Sequence, residues 1–195
     1  MIDFAAILVL TGAIAALASL VALHVAPTGL SPVRNPVSEY ALTRFRAGYV
    51  VAALTAAVAG AGAAFLLAPL AGSTPAVVLL IVFAVSRALI PLVPMDAPGA
   101  ARTRRGRAHN LLAVAAFATV TAAAFLAAGP LADAGYAALS TASTVAGIVM
   151  AAGSAGVLFA LASAPARAIF GFVERLIYVG LLGWFIALGV GVLIG

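Results

Sequence analysis

The apolar residues of this chain come in six long runs, at about 4–25, 45–70, 76–93, 108–128, 137–162 and 169–194, parted by short polar loops. A helix needs about 20 mostly apolar residues to cross a bilayer, and each run is close to or above that length. Composition closes the soluble alternative. Of 195 residues, 66% are hydrophobic and 8% charged, against about 45–50% and about 25% in an ordinary soluble domain. Too few charges are present to coat such a core with water-loving surface. The runs are long and alanine-rich, without the alternation of a membrane-spanning barrel. Helices satisfy their own backbone groups in lipid, so the expected fold is all-α: a compact bundle of six transmembrane helices forming one domain, 1–195. The opening Met1-Ile2-Asp3 lacks a positive leader region, and the first run is longer than a signal-peptide core, so it reads as a retained helix.

Six spans place the loops alternately on two sides. One side carries Arg34, Arg44, Arg46, Arg102, Arg104, Arg105, Arg107 and Arg167; the other carries no arginine, and the chain has no lysine. The positive-inside rule makes the arginine side cytoplasmic and puts both termini outside, as expected for a prokaryotic plasma membrane. The basic charge fits topology and gives no reason to invoke nucleic acid. The absence of cysteine excludes disulfides, thiolate catalysis and cysteine-ligated zinc or iron–sulfur centres. Small residues at helical spacing (Ala53, Ala57, Gly60 and Ala64; Gly147, Gly153 and Gly156; Gly180 and Gly183) allow close helix approach in lipid, within the bundle or in a homo-oligomer.

Ten polar groups are not explained by topology: His24, Ser38, Glu39, Tyr40, Arg87, Asp96, His109, Asn110, Glu174 and Arg175. All fall at or just inside the cytoplasmic ends of the spans. Ionisable groups at membrane depth are costly and usually face the bundle interior or a wet cavity. Their gathering from distant segments predicts a polar pocket open to the cytoplasmic leaflet. Glu39, Asp96, His109 and Glu174 are its candidate acid–base groups. His24, Ser38, Tyr40, Arg87, Asn110 and Arg175 are its candidate binding groups, with Glu174 or Asp96 as the expected partner of Arg87. A bland reading stands beside each: Arg87 snorkels or forms a structural ion pair, the histidines cap helices, and Arg102–Arg107 contacts lipid phosphate. No cofactor is expected. A metal held by His24, His109 and Asp96 is an alternative with little support from spacing.

Two elements resemble a known family. Ser38-Glu39-Tyr40-Ala41-Leu42 resembles the Ser-Glu-x-Ala-Leu element of the domain-of-unknown-function 998 family. Pro94-Met95-Asp96-Ala97-Pro98-Gly99, followed by Thr103, Gly106 and His109-Asn110, resembles that family's Pro-x-Asp-x-Pro-Gly…Thr…Gly-x-x-His element. Thr43-Arg44-Phe45-Arg46 departs from the glycine-containing turn the family tends to have before the second helix. The resemblance implies a compact multi-helix membrane protein and carries no established activity.

Four functions compete on these grounds. The favoured one is a pocket that binds an amphipathic lipid- or isoprenoid-like molecule and offers acid–base groups for transforming it. A metal-dependent membrane hydrolase, a transporter and a non-catalytic assembly subunit are the others. A transporter should show polar groups across the whole bilayer, whereas the outer halves of these spans hold only scattered Ser and Thr.

Overall fold

The computed structural model describes residues 2–194. Six helices are long and apolar enough to cross a membrane: α1 (Ile2–Val25), α2 (Arg46–Leu67), α3 (Thr74–Leu89), α4 (Arg104–Asp133), α5 (Ala137–Ala162) and α6 (Phe170–Ile194). Short 3-10 turns at Val37–Leu42, Ile90–Leu92 and Pro165–Ile169 join them at one end. Each helix packs on its neighbours in chain order, and α6 returns to α1, closing a ring; α6 also touches α2 and α4. Large apolar side chains such as Phe65, Leu111, Leu158 and Val179 are exposed around the outside. In water this would be an aggregation surface; in lipid it is the face the bilayer solvates.

The interior follows the small-residue pattern. A Cβ on Gly60 would sit 2.4 Å from the Phe83 ring, one on Gly153 2.9 Å from the Ile177 backbone nitrogen, and one on Gly180 2.6 Å from Met150. These glycines set the α2–α3 and α5–α6 approaches. Gly12 does the same for α1 and α2, where a Cβ would lie 2.7 Å from the Thr55 carbonyl oxygen. Gly183 differs: it is exposed and nothing lies within 4 Å of its Cβ position. At the arginine-poor end, the buried Trp184 indole N–H donates to Ser143 Oγ at 2.8 Å, so the one polar edge of this aromatic is satisfied.

Two span boundaries differ from the sequence expectation. Gly129-Pro130 does not end α4, which continues to Asp133. The clash of a proline ring with the preceding residue's Cβ is absent where that residue is glycine. The helix closes instead at Gly135, φ +87°. There Gly135 N–H donates to Ala132 O and Tyr136 N–H to Leu131 O, the paired bonds of a Schellman cap. At its other end α4 starts at Arg104, ahead of its apolar run. The Thr103 hydroxyl accepts from Gly106 N–H at 3.0 Å, an N-cap that draws the arginines into the first turn.

Candidate functional site

The polar groups do gather at the arginine-rich end, in two clusters and a connecting pair. The first cluster joins α1, α6 and the loop between α1 and α2. That loop folds over the end of the bundle and buries Val37 and Tyr40. Phe172 N–H donates to Val33 O at 2.9 Å, and the Glu174 carboxylate accepts from Val37 N–H at 2.7 Å. Arg175 Nη1 donates to the Asn35 and Gly171 carbonyls, both at 2.9 Å. Its Nε donates to His24 Nε2, and Nη2 reaches Tyr40 Oη at 3.4 Å. His24 Nδ1 bonds the Leu20 carbonyl. A carbonyl only accepts, so the proton of this imidazole sits on Nδ1 and Nε2 receives Arg175. Tyr40 also meets the His24 ring edge-on at 5.8 Å. Asn35 Nδ2 donates to Glu39 Oε2 at 2.7 Å.

This cluster closes one end of an apolar groove of about 380 Å³ between α1 and α6. Leu17, Leu20, Val21, Val179, Leu182 and Ile186 line it, Gly183 opens it, and His24, Arg175 and Tyr178 stand at its polar end. At 1.5 Å rise per residue, the lining from Leu17 to His24 and from Arg175 to Ile186 covers about 10 to 16 Å along the helices.

The second cluster lies between α2, the turn after α3, and α4. Arg46, Tyr49 and His109 face a cavity of about 130 Å³ whose wall is the Ile90–Pro94 stretch. His109 is buried and its Nδ1–H donates to Val93 O at 2.8 Å. Arg46 Nη2 reaches Pro91 O at 3.4 Å. Between the clusters lies Arg87, 2% exposed. Its Nη1 donates to Tyr178 Oη at 3.3 Å, and its guanidinium stands 5.6 Å from the centre of that ring. Arg87 Nε and the buried Tyr49 hydroxyl have no hydrogen-bond partner.

The carboxylates expected to hold Arg87 are therefore used elsewhere. Glu174 lies within its electrostatic reach but is bonded to Val37 N–H. Asp96 accepts from Thr103 N–H at 2.9 Å and from Thr103 Oγ1 at 2.6 Å. A Cβ on Gly106 would fall 2.0 Å from Asp96 Oδ2, so glycine there admits the carboxylate against the start of α4. The spacing Asp96, Thr103, Gly106, His109 thus has a geometric sense: carboxylate, cap, clearance, and a buried imidazole one turn on. The Thr103 hydroxyl and N–H hold the Asp96 carboxyl below the usual carboxylate range. Asn110 is exposed and Ser38 only part-buried. Among the described residues, no three His, Asp or Glu side chains come together to hold a metal; His24, His109 and Asp96 are each committed to separate partners. Thr43, in the segment that departs from the family pattern, makes its own turn, accepting from Phe45 N–H at 3.1 Å and donating to Tyr40 O at 2.8 Å.

Sequence reasoning missed Arg46, Tyr49 and Gly183. Arg46 was absorbed by topology, Tyr49 by its apolar surroundings, and Gly183 by the packing stripe. A tyrosine hydroxyl one helical turn from an arginine was the available signal.

Six apolar helices with their arginines gathered toward one end define a small polytopic membrane protein. The family model described as "Protein of unknown function (DUF998)" matches residues 10–191, and the chain belongs to that family. No curated protein and no solved structure matches it.

Proposed function

We propose that this protein binds an amphipathic lipid- or isoprenoid-like molecule at the cytoplasmic leaflet, with the chain in the α1–α6 groove and the polar head at His24 and Arg175. The groove carries the reading: it is apolar along its length, opens toward lipid, and ends on a guanidinium and an imidazole. Its volume falls in the range of small-molecule sites, about 300–1,000 Å³. Of the five guanidinium N–H groups of Arg175, Nε and both Nη1 hydrogens are engaged, and Nη2 is held only by the 3.4 Å contact to Tyr40. An anionic or hydroxyl head would take Nη2. His24 Nε2 already accepts from Arg175, and neither Glu39 nor Glu174 lines the groove, so the geometry favours binding and assigns no acid–base step there.

Gly183 supplies the test. Gly183→Leu places a side chain into open space in the groove, and replacing a helical glycine removes a liability of about 1 kcal/mol, so the variant should fold. Native mass spectrometry of protein extracted from its membrane should show a bound amphipath on the wild type and its loss from Gly183→Leu. Equal loading of the two proteins overturns the reading.

A further inference from the structure

The cavity beside His109 is separate from the groove and its chemistry differs. We infer that it is a binding site for a phosphate-type oxyanion, formed by Arg46, Tyr49 and His109 with Arg87 behind them. Buried polar groups in folded proteins are almost always partnered. Here Tyr49 Oη and Arg87 Nε have none, although both residues are 2% exposed. Tyr49 lines the cavity, and Arg87 lies within electrostatic reach of both Tyr49 and His109.

The donors suit an anion. Arg46 uses one N–H in a long bond to Pro91 O and keeps the rest of its fork. Tyr49 offers a free hydroxyl. His109 holds its proton on Nδ1 against Val93 O, leaving Nε2 to accept from a protonated oxygen of the anion. No carboxylate lines the cavity. The acids nearest to it are occupied, Asp96 by Thr103 and Glu174 by Val37 N–H. Arg46 at the exposed edge and the buried Arg87 bring positive charge to a cavity that no carboxylate lines. A volume of about 130 Å³ admits one phosphate-sized group. A forked guanidinium with a hydroxyl donor is a recurring arrangement for such an anion. The oxyanion is either a free ion or the head of a phospholipid.

Isothermal titration separates the two. The protein is purified in a maltoside detergent, which carries no phosphate, and titrated with inorganic phosphate. A second arm uses short-chain phosphatidic acid against the matching diacylglycerol. Binding of phosphate, or of phosphatidic acid with diacylglycerol inert, supports the site and identifies the source. Arg46→Gln should weaken that binding about tenfold, the size expected for one charged hydrogen bond. Tyr49→Phe should weaken it several-fold without loss of folding, because its hydroxyl has no protein partner to lose. Arg105→Gln, in the first turn of α4, should leave it unchanged. Absence of binding in both arms, or equal binding by wild type, Arg46→Gln and Tyr49→Phe, overturns the proposal.

Discussion

Arg87→Met distinguishes a structural arginine from a functional one. Arg87 is buried, makes one side-chain hydrogen bond at 3.3 Å, and leaves Nε unpartnered. That bond has a charged donor and a long reach, so it is worth about 1.5 kcal/mol net, the low end for charged hydrogen bonds. The orphaned Nε costs about 1–3 kcal/mol, and withdrawing the charge from water adds a penalty of several kcal/mol. Methionine removes the orphan and the charge and fills most of the volume. It also strands the Tyr178 hydroxyl, at about 1–3 kcal/mol, and takes a cation away from Glu174. These terms nearly cancel, so Arg87→Met should unfold within about 1 kcal/mol of wild type. Adding Tyr178→Phe removes the stranded hydroxyl, and the double variant should be more stable than wild type by about 1–3 kcal/mol. Reversible unfolding in mixed micelles, followed by circular dichroism, measures both. A loss of about 3–5 kcal/mol in the single variant, the signature of a broken buried ion pair, would refute the reasoning. The same variant should bind phosphate more weakly, an exchange of function for stability.

Asp96 should govern the loop before α4 in a pH-dependent way. Its carboxyl is held below the ordinary range by Thr103, so its contribution is complete above about pH 4, the unfolded value, and drains as pH falls through the lowered folded value. Limited proteolysis of residues 93–103 should accelerate only in acid, Asp96→Asn should abolish that dependence, and Gly106→Ala should give the loosened pattern at neutral pH by expelling the carboxylate. The chain contains no cysteine, so single cysteines report sidedness directly. Arg105→Cys should react with impermeant maleimide only from the cytoplasmic face and Gly72→Cys only from the opposite one; the reverse labelling overturns the topology.

The membrane, the number of helices and the gathering of polar groups at one end were legible in the chain, because hydrocarbon imposes a length and a polarity on every segment it solvates. The DUF998 elements were legible too, and the structure gives them work: the buried Tyr40 anchors the first loop, and Asp96 with Gly106 fastens the start of α4. Pairing was not legible. Composition and spacing put Glu174, Asp96 and Arg87 at one depth, yet hydrogen bonds form between atoms whose positions depend on helix rotation. Glu174 turned to the Val37 backbone, Asp96 to Thr103, and Arg87 to Tyr178. Cavities are likewise differences between packed surfaces: Gly153 and Gly183 look alike in the chain, yet one meets the backbone of α6 and the other opens a groove. Sequence alone therefore determined what solvates this protein and where its polarity lies. Only the tertiary structure decided which groups are spent on one another and which atoms, like the Tyr49 hydroxyl and Arg87 Nε, still lack a partner.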